Sequence, residues 1–187
     1  LALQMIQVGE ERLLLPNATV AEVLARVAIE PVQGAPAWLP GQIVWHGWNV
    51  PLVAFSRLAG LGEEPAMRNN RVIVLKGLGK DETLPYFALL TASFPQLVSV
   101  PRDSLLADAS EEDLPRGVQM RVLLGDQSAL LPDLEGVERM IGEAMAAADI
   151  ILAAMEDEAI PAAVKPMALS TMGTATTAGK RSWVGAW

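Results

Sequence analysis

The sequence predicts a mainly β chain closed by one long C-terminal helix, and three observations carry that prediction. Short apolar runs recur from Leu3 to Leu131, bounded by Gly, Pro and Asn turn signals. Two stretches, Ile43 to Leu61 and Val122 to Val137, share one grammar of strand, tight turn, Pro-containing strand and helix. They suggest two related small β units. From Leu134 or Val137 to Ile160 the chain is rich in Ala, Met, Glu and Leu, and Met140, Ile141, Met145, Ala148, Ile151, Leu152 and Met155 fall near a helical period.

The elements follow in order. Leu3 to Val8 alternates polar and apolar residues and Glu11 to Leu15 continues after Gly9, so a first hairpin turns at Val8-Gly9-Glu10-Glu11. Asn17 to Val27 offers a cap candidate and apolar residues at Val20, Val23, Leu24 and Val27, which fit either a short helix or a strand. From Gly34 to Phe55, a loop punctuated by Pro and Gly feeds an apolar run. A two-residue His46-Gly47 turn reverses it, and a second run returns through Val50-Pro51-Leu52-Val53. This is a β-hairpin with a sticky rim.

Ser56 to Gly62 reads as one helical turn closed by glycine, and the polar break Glu63 to Asn70 is the best internal boundary. Arg71 to Leu75 is a buried strand, followed by a turn over Gly77 to Glu82 and a further run at Leu84 to Leu90. Leu97 to Val100 and Gln119 to Leu124 add two more strands. The stripe of the long helix is expected to pack on the β body or to present a partner-binding face. Pro161 ends the helix, and the remainder to Trp187 reads as a flexible, small-residue tail carrying Trp183 and Trp187.

Composition narrows the function classes. The 187 residues suffice for one sizeable core or two small ones, and 51% hydrophobic against 19% charged residues excludes disorder for most of the chain. A net charge of −8 and a pI near 4.7 supply no basic stripe for phosphates, which weighs against nucleic acid and anionic membrane surfaces as partners. Proteins or neutral small molecules remain. The absence of cysteine removes disulfides, thiol nucleophiles and thiolate zinc sites, which fits a reducing compartment, with the cytoplasm as the default. No apolar run reaches the ~18 to 20 residues of a spanning helix, since Glu143, Asp149 and Glu156 punctuate the C-terminal stretch. A start at Leu1 rather than Met leads us to expect that a few native residues precede it.

Catalytic signals are weak. His46 is the only histidine and sits at a predicted turn, which removes multi-His metal sites and leaves a Ser-His-Asp arrangement resting on one solvated residue. Gly77-Leu78-Gly79-Lys80 follows a strand but lacks the spacing of a phosphate-binding loop and the helix after it. The acidic runs at Glu63-Glu64, Asp81-Glu82 and Glu111-Glu112-Asp113 read as solvated faces. No catalytic residue, metal or cofactor is expected. Trp38, Trp45 and Trp48 cluster around one hairpin and suit an interface hot spot. The alternative is a small-molecule-binding or enzymatic β-barrel that lines a pocket with them and uses His46 as its base.

One family shares this order of residues. Val20-Ala21-Glu22-Val23-Leu24, then Pro36-Ala37-Trp38 with Gly41, then Gly47 and Val50-Pro51-Leu52-Val53, resembles the CheW-like domain of bacterial chemotaxis coupling proteins. Members typically show aliphatic-x-Glu-aliphatic, Pro-x-aromatic-aliphatic-x-Gly, and Arg-Gly-x-x-aliphatic-Pro-aliphatic-aliphatic-Asp-Leu. The resemblance runs from about Leu13 to Ile141 and is most specific in its first half.

It implies two small five-stranded, SH3-like β-barrels packed on a shared core, and a scaffold without catalysis. Such proteins link the cytoplasmic tips of methyl-accepting chemoreceptors to the regulatory domain of a CheA-type histidine kinase. By resemblance, Val20 and Glu22 fall where the family contacts the kinase, and His46, Gly47 and Val50 near the receptor-binding surface. A groove between the barrels would hold a receptor helix. With the tryptophans, the expected partner-binding set is Val20, Glu22, Trp38, Trp45, His46, Gly47, Trp48 and Val50.

The implied layout is a CheW-like domain over 1–142 divided near 63–70, a helix over 143–160 and a tail over 161–187. Two departures stand out: His46 replaces the family's turn arginine, and Ala54-Phe55 stand where its aspartate is expected. The family's second-half Gly-aliphatic-x-Val-Asp-x-Val strand is also hard to find between Tyr86 and Val98. These losses suggest a divergent member, such as the accessory proteins of type IV pilus chemosensory systems.

Overall fold

The computed structural model describes residues 1–62, 71–78, 84–107 and 113–159. Eleven strands and two α-helices make up these segments: β1 (Ala2–Val8), β2 (Glu11–Pro16), β3 (Val20–Ala25), β4 (Gly41–Trp45), β5 (Trp48–Val53), α1 (Phe55–Ala59), β6 (Arg71–Lys76), β7 (Tyr86–Thr91), β8 (Gln96–Ser99), β9 (Leu105–Ala107), β10 (Val118–Leu124), β11 (Gln127–Pro132) and α2 (Leu134–Ala159).

Local chemistry explains the turns. The loop between β4 and β5 is the two-residue His46-Gly47 turn, and both residues take positive φ, 48° and 80°. That is the type I′ geometry whose twist matches the flanking strands. Gly60 closes α1 in the left-handed conformation, as the glycine after one helical turn predicts. Asn17 to Val27 resolves as a 3-10 turn at Asn17–Thr19 followed by β3. Pairing with β6 decides the choice, because a short isolated helix nucleates poorly.

The strands form two sheets, one ordered β3-β6-β7-β5-β4 and the other β8-β1-β2-β11-β10-β9. Both repeat one pattern: two antiparallel pairings, a parallel pairing (β7 with β5, β2 with β11), then an antiparallel hairpin. The echo between the two hairpin-helix stretches is thus a repeated topology. The second sheet carries six strands rather than the expected five, because the three-residue β9 pairs with β10. So short a strand leaves no periodic signal.

The N-terminal hairpin β1-β2 belongs to the second sheet, beside β8 and β11. The chain therefore changes sheets at Asn17–Thr19 and again between Thr91 and Gln96. The expected division at 63–70 lies outside the described residues, and the strands on either side of it, β5 and β6, share one sheet.

The inner strands β2, β6 and β7 are buried on both faces, which is why they read as continuous apolar runs rather than alternating ones. In β6, Ile73 and Leu75 point to a central core while Val72 and Val74 fill the first barrel. In β2, Leu13 and Leu15 face the central core and Leu14 enters the second barrel with Leu3, Val100, Val122 and Ala129. The result is two SH3-like barrels, each with its own interior, packed on a shared core. Phe55, Leu58, Phe87, Leu130, Val137 and Ile141 complete that core.

Helix α2 begins where Asp133 Oδ1 accepts the Gly136 N–H at 3.1 Å, an N-cap contact. It buries Leu134, Val137, Ile141, Met145 and Ala148 against the body. The helix runs unbroken through the expected boundary at 142/143, since its first turns fill the core and cannot be separated from it. The tail 161–187 lies outside the described residues. Among the described residues, no helix is long and apolar enough to cross a membrane.

Candidate partner-binding surface

The first barrel closes through side chains. Its edge strands are β3 and β4, and on β3 the register passes from Val20 opposite Leu75 to Glu22 opposite Val74, leaving Ala21 as the extra residue of a bulge. Across the seam, Trp45 Nε1–H donates to Glu22 Oε2 at 2.6 Å. Further along, the Glu30 and Gln42 backbones exchange two hydrogen bonds of 2.8 Å. Gln42 Nε2 also approaches Glu30 Oε2 at 3.4 Å.

Aromatic rings gather at this end of the barrel. Trp45 stands edge-on to His46 at 4.5 Å between centroids and to Tyr86 at 4.8 Å, and Trp48 lies 6.1 Å from Tyr86. Trp45, Trp48 and Tyr86 half-bury themselves against the barrel interior. Each residue is therefore covered in part by the core and open in part to water, the disposition of an interface residue. On the strands flanking the seam, Val23 and Val44 are exposed, Val44 by 58%. Gly47 at the turn has no atom within 4 Å of the place a Cβ would occupy, so the tip of the hairpin is open.

The expected partner-binding set divides. Glu22, Trp45, His46, Gly47 and Trp48 come together at this seam and rim. Trp38 does not: it is 8% exposed in the central core, its carbonyl accepts the Ala54 N–H at 2.8 Å, and the Arg116 guanidinium lies 5.6 Å from its ring. A turn closed by Leu39 N–H on the Pro36 carbonyl at 2.9 Å holds the segment that carries it. Val50 is fully buried inside the first barrel, and Val20 packs half-buried against the central core. The three tryptophans consequently line no common pocket, and the ring contact His46 makes among them is with Trp45. Tyr86 was invisible as a site residue in the sequence, because only the parallel pairing of β7 with β5 brings it to the rim.

A second feature lies where the chain crosses between barrels. A cleft of about 680 Å³ opens beside Leu14, Pro16, Leu78, Leu131 and Leu134, with Asp133 and Glu135 at its edge. Its walls are mainly apolar side chains from β2, β11, the segment after β6 and the first turn of α2. No local pattern announces it, since its residues come from four separate stretches. Among the described residues, no cluster of three or more His, Cys, Asp or Glu is arranged to hold a metal.

Comparison with known proteins agrees with this architecture. The crystal structure of the scaffolding protein TtCheW from Thermoanaerobacter tengcongensis superposes with a TM-score of 0.60 at 17% identity, over 70% of this chain and 87% of that one. At such low identity the likeness speaks for the fold. No curated protein matches the chain. The CheW-like domain family matches residues 3–140, which takes in both sheets and the first turns of α2. Two barrels of repeated topology on one shared core, matched across nearly their whole length, place the chain in the CheW-like domain family.

Proposed function

We propose that this protein is a non-catalytic adaptor of chemotaxis-type signal transduction, linking the cytoplasmic tip of a chemoreceptor to the regulatory domain of a CheA-type histidine kinase. The family match over residues 3–140 is the observation that carries this reading. Two surfaces support it. The seam of the first barrel offers Glu22 with the exposed Val23 and Val44, a half-apolar face suited to another small β domain. The apolar cleft between the barrels has the volume and walls to accept the side chains of a helix laid across it. Such an adaptor works in the cytoplasm, where the tip and the kinase meet.

The two departures fit a divergent, accessory member, for which the type IV pilus chemosensory systems that drive twitching are our choice. Ala54 and Phe55, at the position of the family's aspartate, are both completely buried, and Phe55 belongs to the central core. A carboxylate there would be desolvated without a partner, so this chain has exchanged a polar group for packing.

Titration calorimetry against a chemoreceptor tip fragment and, separately, a CheA-type regulatory domain tests the proposal. Micromolar binding to either, about −8 kcal/mol, is the expected result. Absence of heat with both partners from the same cell overturns it.

A further inference from the structure

The apolar stripe of α2 does not stop where the body stops. Val137, Ile141, Met145 and Ala148 are buried at 0, 0, 2 and 3% exposure, and helical spacing continues the same stripe through Ile151, Leu152 and Met155. Beyond Ala148 it stands in the open: Ile151 is 46% and Met155 54% exposed, with Leu152 half-buried. Ile150, 71% exposed, lies on the opposite side of the helix and is no part of the stripe. A stripe kept apolar past its own core is a surface held for something else.

Charge says what that something is. After Arg139 the helix carries Glu143, Asp149, Glu156, Asp157 and Glu158 and no cation, and its last turn contains no basic residue. Carboxylates at a helix C-terminus oppose the macrodipole, so in isolation this end of α2 is electrostatically unfavourable. A cation brought alongside removes that penalty. A second copy of the helix would bring the same carboxylates against each other, and an anionic membrane would repel them.

We propose that the distal half of α2, centred on Ile151 and Met155, is a docking face for a cationic amphipathic helix of a partner protein. Leucine-type residues of the partner would cover the stripe, and its lysines or arginines would complement the acidic residues beside it, Glu143 and Asp149 among them. This face is separate from the first-barrel seam and from the inter-barrel cleft, and does not depend on the adaptor reading.

The test is fluorescence anisotropy of a labelled peptide of about 18 residues built from leucine and lysine in amphipathic register, against the full chain. Its twin with glutamate for lysine is the control. The expected result is micromolar binding of the lysine peptide and none of the twin, with Ile151→Asp and Met155→Asp each weakening binding about tenfold or more and Ile150→Asp leaving it unchanged. Circular dichroism melting of all three variants confirms that the fold survives. Equal loss in the Ile150 and Ile151 variants overturns the proposal, since it makes the binding mere charge attraction. A chain ending at Ala159 that binds about tenfold more tightly assigns the face to the chain's own residues 160–187, which carry three basic and no acidic side chains, and also overturns it. So does a dimer in sedimentation that Ile151→Asp dissolves.

Discussion

Gly9→Ala should destabilise the protein far more than Gly47→Ala, although both glycines sit at hairpin turns with positive φ. At Gly9, φ is 57°, and an added Cβ would overlap the Leu61 carbonyl oxygen while lying 2.9 Å from its carbon and 3.1 Å from Ser56 Cβ. The obstructing atoms are backbone and cannot rotate away. That same Leu61 carbonyl accepts the Glu10 N–H at 2.8 Å, tying the N-terminal hairpin of the second barrel to the end of α1 on the first. An alanine therefore costs about 1 kcal/mol for the left-handed backbone. Displacing Leu61 adds about 1 kcal/mol for the lost hydrogen bond and roughly 1 more for the crowding.

At Gly47, φ is 80° but nothing lies within 4 Å, so only the backbone cost of about 1 kcal/mol remains. For a chain of this size each kcal/mol shifts the melting temperature by about 2–4 °C. Gly9→Ala should thus lower Tm by about 6–12 °C and Gly47→Ala by about 2–4 °C. Differential scanning calorimetry on both variants decides the matter. Equal shifts would refute the reasoning, because they would mean that the contact between the hairpin and Leu61 contributes nothing to holding the barrels together.

Four further outcomes are expected. Glu22→Ala and Trp45→Phe in a double-mutant cycle should show a coupling of about 0.5–1.5 kcal/mol by denaturant titration, reflecting the seam hydrogen bond, and additive effects would remove it. Phe55→Ala, at a fully buried site in the central core, should cost about 3–5 kcal/mol, measured from the denaturation midpoint. His46→Glu should cost about 0.5–1.5 kcal/mol, for the edge-on contact with Trp45 lost at a turn residue held at positive φ, while leaving the chain folded and weakening receptor-tip binding in calorimetry. Trp48→Ala should weaken the same binding, and unaltered affinity in both variants would take the hairpin tip out of the proposed surface.

What the residues disclosed by themselves is local. The His46-Gly47 turn, the glycine closing α1 and the apolar stripe of α2 all rest on contacts within a few positions, where backbone sterics and side-chain period act without help from the rest of the chain. The family's motif added the two-barrel plan, because Pro36 to Val53 carries enough specific positions to be matched.

Tertiary structure alone decided the long-range pairings. Nothing in β1 and β2 says that they join β8 and β11 from the far end of the chain rather than the strands that follow them, since strands buried on both faces suit either sheet equally well. The tryptophans show the same limit. Trp38 and Trp45 are close in sequence and chemically identical, yet one lies inside the central core and the other clasps Glu22 across a seam. Composition prescribes that such rings find cover, and only the packing of two barrels against each other determines which cover each ring receives.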